Sequence, residues 1–134
     1  MLGILPKSTE PSIRVLMMPR DTNAYGTIFG GVILSYIDQA GAIEARRQGS
    51  KFMVTVSMDK VVFHEPVYVG DLVSFWCEAL RIGTTSITVK VTVEAMRGKD
   101  PLDKVLVTEA QVVYVNVDET RRPVAVTREV PRAP

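Results

Sequence analysis

Side chains that cross-link a chain or bind structural zinc are nearly absent from this sequence. Its 134 residues include one cysteine, Cys77, and one histidine, His64. A disulfide needs two cysteines and a structural zinc site needs four ligands drawn from cysteine and histidine, so neither can form within one chain. The sequence therefore predicts no metal site and is typical of a protein of the reducing cytoplasm.

Long apolar runs and an excess of charge of one sign are also missing. No stretch approaches the roughly 18 apolar residues of a membrane span, and residues 1–11 lack the pattern of a signal peptide. The formal net charge of +1 gives no general attraction to a phosphate backbone. We therefore expect a soluble protein that binds neither membrane nor nucleic acid. What is present, 46% hydrophobic and 23% charged residues, is typical of one globular domain over residues 1–134.

One stretch has helical periodicity. From Val32 to Ile43, apolar residues recur at intervals of three and four, and most of the other positions are apolar too. This pattern predicts a helix of about four or five turns that is buried nearly all round and ends near Gly49. Residues 21–31, which precede it, have the glycine-rich composition of a loop.

The rest of the sequence predicts strands. Thr55, Ser57 and Asp59 alternate with apolar residues, which is the period of a half-buried strand. In the last strand the odd-numbered valines share one parity, and a compact turn at 83–85 indicates an antiparallel hairpin. The predicted strands are Ile13–Met18, Val54–Asp59, Leu72–Ile82, Ile87–Ala95 and Lys104–Asp118.

The order of these elements indicates the fold class. One helix followed by strands without intervening helices predicts an α+β domain, in which an antiparallel sheet of about five to six strands covers the helix. We expect the core to span residues 13–118. Residues 119–134, rich in proline and arginine, are expected to form a loose tail.

Asp38 is the strongest candidate for chemistry. It is the only charged residue between Asp21 and Glu44, and its surroundings in the predicted helix are almost entirely apolar. A buried carboxylate is costly unless it is paired or has a function. Just upstream, free N–H groups at the helix start near Gly31 can stabilise a developing negative charge. The alternative is a structural aspartate held by hydrogen bonds or facing a polar subunit seam.

Other catalytic routes lack their motifs. The sequence has no Gly-x-Ser-x-Gly elbow, no phosphate-binding loop ending in Gly-Lys-Ser or Gly-Lys-Thr, and no HExxH. His64 is more typical of a surface position at a strand end, and Cys77 of core packing. Asp59 can hydrogen bond within a site, although a solvated position is the more ordinary outcome.

A set of motifs resembles the acyl-CoA thioesterases of the hot-dog fold, single-domain bacterial type. The first is Asp21-x-Asn23-x-x-Gly26-x-x-Phe29-Gly30-Gly31, followed by Asp38 in the helix. The later motifs, in matching order, are Val54-Thr55-x-Ser57-x-Asp59, then Phe63, Pro66-Val67-x-x-Gly70-Asp71 and Gly83-x-x-Ser86. Together they cover most of residues 13–118.

The resemblance implies a function and a set of site residues. It implies hydrolysis of fatty acyl-CoA thioesters to CoA and a carboxylic acid, with Asp38, Asn23 and Gly31 as the catalytic residues. Asn23 is implied to act across a homodimer interface with the partner's aspartate, and a hexamer built as a trimer of dimers is the higher assembly that the resemblance suggests. No cofactor is implied apart from the coenzyme A of the substrate. The residues implied to bind substrate are Gly30, Ser57, Arg81, Gly83, Thr84 and Ser86.

Several alternatives stay open at this level. Asp38 can act as general base or as a nucleophile that forms a mixed anhydride. A hot-dog hydratase or dehydratase, or a non-catalytic acyl-CoA-binding domain, are the rival functions. Relatives often carry a basic residue where this chain has Thr84, so the CoA phosphates are expected to find other partners, with Arg97, Lys99 and the tail arginines as candidates. Acyl chain length and nucleotide regulation cannot be inferred.

Overall fold

The computed structural model describes residues 2–98 and 100–128, and it contains one long helix and one sheet. The helix is α1 (Gly30–Gln48), preceded by a short 3-10 turn at Pro19–Asp21. The strands are β1 (Ile13–Leu16), β2 (Met53–Phe63), β3 (Leu72–Ile82), β4 (Ser86–Met96) and β5 (Lys104–Asn116). The α+β hot-dog fold is therefore confirmed, with five strands in the sheet.

The sheet is antiparallel throughout and has the order β1-β3-β4-β5-β2. The helix lies across β3, β4 and β5 and packs Ile33, Ile37 and Ala40 onto its inner face. β1 and β2 are thus the two edges. β1 is two residues shorter than predicted, because the chain turns at Pro19, and β5 ends two residues earlier than predicted, at Asn116.

The helix is longer than its periodicity predicted. Its first residues are Gly30 and Gly31, which precede the periodic stretch and lie at the helix start that the sequence predicts near Gly31. Its last residue is Gln48, and Gly49 follows with a φ of +127°, which favours glycine. A Cβ at Gly49 would also lie 2.7 Å from the carbonyl oxygen of Thr127. No helix among the described residues is both long and apolar enough to cross a membrane.

The prediction that this helix is buried nearly all round is wrong for the single chain. Gly31, Ser35, Gln39 and Ile43 are exposed and form a stripe along the helix, on the side away from the sheet. The apolar side chains on the opposite face of the helix pack against the sheet and form part of the core. An exposed stripe that includes Ile43 is the kind of surface that a second subunit can cover.

A β-bulge changes the face on which the polar residues of β2 lie. Thr55 pairs with Tyr114 and Ser57 pairs with Val113, so Val56 is an extra residue between them. Paired residues of antiparallel strands share a face. Thr55 therefore lies on the helix side with Tyr114, while Ser57 lies on the opposite face, contrary to the predicted single parity.

A second bulge corrects the expected parity of β5. Val93 pairs with Thr108 and Glu94 with Leu106, which leaves Val107 as an extra residue. Beyond the bulge the even-numbered residues face the core. The buried residues of this part of β5 are Thr108, Ala110, Val112, Tyr114 and Asn116, and the valines at 113 and 115 are only partly buried.

The expected loose tail is wrong for residues 119–128. Val126 is buried, and its N–H donates to the carbonyl oxygen of Thr84 at 2.9 Å. Asn116 donates through its side chain to Val124 and Ala125, and Arg128 donates to the carbonyl oxygen of Gln48. These bonds hold the segment across the carboxyl end of the helix. Residues 129–134 lie outside the described residues.

One buried hydroxyl lacks a hydrogen bond among the described residues, and this leads to a stability prediction. Thr108 is 0% exposed and its Oγ1 has no partner. An unsatisfied buried hydroxyl is destabilising, so Thr108→Val should raise the free energy of unfolding by about 1 kcal/mol. Denaturant unfolding of the two proteins measures this. A loss of stability instead would mean that the hydroxyl has a partner such as a buried water.

Candidate active site

Asp38 lies where the helix passes the edge strand β2. Thr55 on β2 donates from Oγ1 to Oδ1 of Asp38 at 2.8 Å. In the single chain Asp38 is only partly buried, so its environment is less apolar than the sequence suggested. The pattern of the helix showed which residue is unusual, and the fold supplies its hydrogen-bond partner from a distant strand.

The sequence indicates only weakly that Thr55 belongs to the site. Its position two residues before Ser57 and four before Asp59 suggested three equivalent polar residues. Only the bulge at Val56 separates them, because it turns Thr55 toward Asp38 and leaves Asp59 exposed on the other face. Ser57, predicted to bind substrate, is therefore not brought next to Asp38 within this chain.

The helix start presents free main-chain donors. The N–H groups of Val32 and Ile33 donate to the carbonyl oxygen of Phe29, whereas those of Gly30 and Gly31 have no acceptor among the described residues. The first N–H groups of a helix and the positive end of its dipole attract negative charge. Gly31 is exposed, and a Cβ there would meet nothing within 4 Å, so a ligand can approach its main chain.

Gly31 and Asp38 lie on one side of the helix. They are separated by two turns, which is a rise of about 10 Å, and helical side chains lean toward the amino terminus. The carboxylate of Asp38 is therefore closer to the helix start than the rise between the two main-chain positions suggests. A cavity of about 250 Å³ also opens beside Gly30, with apolar walls formed by Ile28, Ile33, Phe63, Pro66 and Val67.

Asn23 lies in the loop before the helix and is held there by its own side chain. Its Oδ1 accepts the N–H groups of Tyr25 at 2.8 Å and Thr27 at 3.1 Å, and its Nδ2 donates to Oγ1 of Thr27 at 2.8 Å. Both acceptor positions of the amide oxygen are thereby used, and one N–H of Nδ2 remains. Within one chain Asn23 is not hydrogen bonded to Asp38.

The predicted nucleotide-side turn lies at the other end of the helix. Gly83 donates from its N–H to the carbonyl oxygen of Ser86 at 2.8 Å, and Thr84 accepts the N–H of Val126. This turn adjoins the end of β5, next to the carboxyl end of the helix. Gly31 is a helix length away, about 27 Å. One chain therefore does not bring Arg81, Gly83, Thr84 and Ser86 to the helix start.

Two of the remaining cationic candidates, Arg97 and Arg128, already have partners. Arg97 donates to Oδ2 of the buried Asp71 at 3.1 Å and lies over the ring of Tyr68, so it is part of a partly buried ion pair. Arg128 binds the main chain of Gln48. Arg81 is exposed on the sheet. Lys99 and the arginine at 132 lie outside the described residues.

The two other candidate side chains are accounted for differently. His64 lies 3.2 Å from Oε2 of Glu109 at the end of β2, a strand-end position as predicted. Cys77 is buried in the core, and burial raises the pKa of its thiol to about 11. A thiol with such a pKa is protonated at neutral pH and is a poor nucleophile. Core packing is therefore its role.

Thr55→Val should lower kcat about tenfold, since it removes the hydrogen bond that orients Asp38 while keeping the shape of the side chain. Thr55→Ser retains a hydroxyl and should keep most of the activity. The measurement is steady-state turnover of an acyl-CoA by both variants, with melting temperatures to show that they are folded. Equal turnover by Thr55→Val and by the wild type would mean that the hydrogen bond is irrelevant to turnover.

Comparisons with known proteins give consistent results. Residues 25–102 match the family model described as Thioesterase superfamily. The acyl-CoA thioester hydrolase YciA of Salmonella typhimurium is 39% identical over 116 residues, which are 85% of this chain and 87% of that protein. An uncharacterized acyl-CoA thioester hydrolase of Buchnera aphidicola subsp. Baizongia pistaciae is 46% identical over 113 residues, or 83% of this chain and 84% of that protein.

Two solved structures extend the similarity to the fold. A hexameric hotdog fold thioesterase of Campylobacter jejuni has a TM-score of 0.83 and 45% identity, covering 88% of this chain and 90% of that chain. A hexameric thioesterase of Yersinia pestis has a TM-score of 0.80 and 39% identity, covering 92% and 99%. Each match covers most of both chains, so the similarity concerns the whole domain.

Proposed function

The chain belongs to the thioesterase superfamily and is an acyl-CoA thioester hydrolase, and from this premise we propose that Asp38 and the helix start carry out the hydrolysis. The observation that carries the proposal is the arrangement of free N–H groups at Gly30 and Gly31, with the Thr55-bound carboxylate of Asp38 two turns further along the same side of the helix.

The proposed reaction begins with binding of the thioester carbonyl oxygen at the helix start. The N–H of Gly31 and the helix dipole stabilise the negative charge that develops on this oxygen. Asp38 takes a proton from a water molecule, whose oxygen attacks the carbonyl carbon. The carbon–sulfur bond then breaks, the CoA sulfur takes up a proton, and the products are CoA and a carboxylic acid.

Thr55 fixes one oxygen of Asp38 in this scheme and leaves the other to face the water. Asn23 contributes its remaining Nδ2 hydrogen as a donor, because its amide oxygen is occupied by two N–H groups of its own loop. It can therefore hold a carbonyl or water oxygen but cannot accept a proton. In this proposal Asn23 acts at the site of a second subunit.

A covalent route through Asp38 is chemically balanced as well. The carboxylate attacks the thioester and expels the CoA thiolate, and water then opens the mixed anhydride. A single turnover in ¹⁸O-labelled water detects the covalent route when water opens the anhydride at the aspartyl carbon. Label in the carboxylate of Asp38 would identify it as nucleophile, whereas label confined to the released acid would mean that water attacked the acyl carbon.

The shape of the chain supports a homodimer with composite sites. β2 is an edge strand of 11 residues, and Val54, Val56, Val62 and Phe63 along it are exposed. A long apolar edge is prone to pair with another strand unless it is protected. Thr55 and therefore Asp38 lie beside this edge. Pairing of β2 with its copy would place the active site at the subunit boundary.

Antiparallel pairing of two β2 strands also explains the distribution of the predicted residues. It places the start of β2 in one chain beside the end of β2, and hence the helix start, in the other. A cavity of about 730 Å³ lies at the start of β2, and its apolar walls include Ala42, Ile43, Phe52 and Val54. The acyl group bound at one helix start would enter this cavity of the partner.

CoA recognition follows from the same pairing. The turn from Arg81 to Ser86, distant from Gly31 in its own chain, lies at the helix end that faces the partner's helix start. We assign the CoA phosphates to this region, with Arg81 as an exposed guanidinium suited to phosphate. Because the relatives from Campylobacter jejuni and Yersinia pestis are hexameric, we propose a trimer of dimers here too.

The experiment that tests the function is release of free CoA thiol from acyl-CoAs of increasing chain length. Hydrolysis is expected, and the ranking of kcat/KM gives the chain-length preference. Tight binding of acyl-CoA without thiol release would identify a binding domain instead, and addition of water to an enoyl-CoA would identify a hydratase. Light scattering of the same sample measures the assembly, for which a hexamer is expected.

A further inference from the structure

Tyr114 on β5 is buried against the helix at the position of Asp38. It is 1% exposed, and its hydroxyl donates to the main-chain carbonyl oxygen of Asp38 at 2.6 Å. A buried tyrosine needs a partner for its hydroxyl, but a helical carbonyl already accepts an N–H from within the helix. The bond to Asp38 is therefore additional to the usual helical pattern.

The same hydroxyl reaches into the helix over its next turn. The main-chain N–H of Ala42 lies beside it and acts to lower its pKa, the smallest of the influences on this phenol. Gly41 makes room for this approach. A Cβ at Gly41 would overlap the hydroxyl oxygen of Tyr114, and it would lie 3.1 Å from two ring carbons, which is tighter than most real contacts.

The electrostatic setting keeps this hydroxyl a donor. Burial, and then the negative charge of Asp38, raise the pKa of Tyr114 well above its usual value. The phenol therefore stays protonated at neutral pH. A phenylalanine would fill the same volume without a group that touches the helix main chain, so packing alone does not explain a hydroxyl here.

Thr55 and Tyr114 are directly paired across β2 and β5. Thr55 holds the carboxylate of Asp38 and Tyr114 holds the main-chain carbonyl of the same residue. One cross-strand pair thus holds both the side chain and the main chain of Asp38. Because the two strands are rigid elements of the sheet, the position of the carboxylate is set by the sheet as well as by the helix.

We propose that Tyr114 is a positioning residue for the hydrolysis, which fixes the helix main chain at Asp38 through a contact that the absence of a side chain at Gly41 permits. This inference rests on the proposed role of Asp38. Tyr114 does not touch the substrate. It acts through Asp38, by limiting how far the carboxylate can move from the attacking water.

The test is Tyr114→Phe with Tyr36→Phe as matched control. Tyr36 lies on α1, the helix that carries Asp38, and its ring centroid is 5.6 Å from that of Phe75. Its variant therefore also removes one hydroxyl from a tyrosine that packs against the core. Tyr114→Phe should lower kcat about 10- to 100-fold with little change in KM, because misplacement of a catalytic group affects the chemical step. Tyr36→Phe should keep both constants.

A cycle with Asp38→Asn separates positioning from general stabilisation. If Tyr114 acts through Asp38, Tyr114→Phe should have no further effect on the residual rate of Asp38→Asn. An equal fold-loss in both backgrounds, or unchanged kcat in the single variant, would overturn the proposal. Full activity of Asp38→Asn would instead refute the proposed function, so the two failures are distinguishable.

Gly41→Ala provides a second variant that acts from the helix side. Its methyl group must displace the Tyr114 hydroxyl, so kcat should fall here as well, even if Tyr114→Phe folds poorly. In the Tyr114→Phe background the alanine should cost less activity, since the closest atom has been removed. Independent, multiplicative losses in the double variant would show that the two residues do not share this contact.

Discussion

Replacing Asp38 with asparagine is expected to lower kcat by about 10²–10⁴, the usual effect of removing a positioned general base. The amide has the same shape and can still accept the hydrogen bond that Thr55 donates at 2.8 Å, so the fold should be retained. What is lost is the ability to take a proton from water. Thiol release from an acyl-CoA under saturating substrate measures the change.

The matched control for this variant is Asp59→Asn. Asp59 is also an aspartate, but it lies on β2 and is exposed on the face of the sheet opposite Asp38. The same change of carboxylate to amide there should leave kcat within about twofold of wild type, since surface changes of this kind are usually neutral. Undiminished turnover by folded Asp38→Asn would remove this residue from the mechanism.

Val56→Lys is expected to separate the subunits and to lower kcat/KM about 100-fold or more. Val56 is 59% exposed in the single chain and lies at the bulge of the free edge of β2. A lysine on a strand edge opposes pairing with another strand, and burying its ammonium without a partner is costly. A separated chain would lack the partner's contribution to the oxyanion and CoA contacts.

Leu102→Lys controls for the added charge. Leu102 is 85% exposed in the connection between β4 and β5, away from β2, so its variant should keep both the assembly and the activity. Light scattering and thiol release on the same samples give the two quantities. A Val56→Lys protein of unchanged mass would place the interface elsewhere, and a fully active separated chain would show that the site is not shared.

The helix and its unusual residue could be predicted from the sequence because both are local properties. Asp38 is conspicuous as a charge among apolar residues, and the glycines at 30 and 31 mark the place where a helix starts. The strand Leu72–Ile82 agrees with the structure at both ends, since an antiparallel hairpin is defined by its turn and by alternation within a short stretch.

The partners of Asp38 could not be predicted, because bulges decide them. Alternation placed Thr55 and Ser57 on one face, and it placed the odd-numbered valines of β5 on one face of the sheet. The extra residues Val56 and Val107 break both series, so Thr55 and Tyr114 come to face the helix. A bulge depends on how two strands pair across many intervening residues, and no local pattern encodes it.

By itself the sequence determined the fold class, the periodic central part of the helix and the one carboxylate that stands among apolar residues. It could do so because hydrophobic periodicity and turn residues act over short distances. The tertiary structure alone decided which groups hold that carboxylate, that the helix start and the turn from 83 to 86 lie at opposite ends of one chain, and that β2 has an unprotected apolar edge. These are consequences of long-range strand pairing, which brings together residues such as Thr55 and Tyr114 that are distant in the chain.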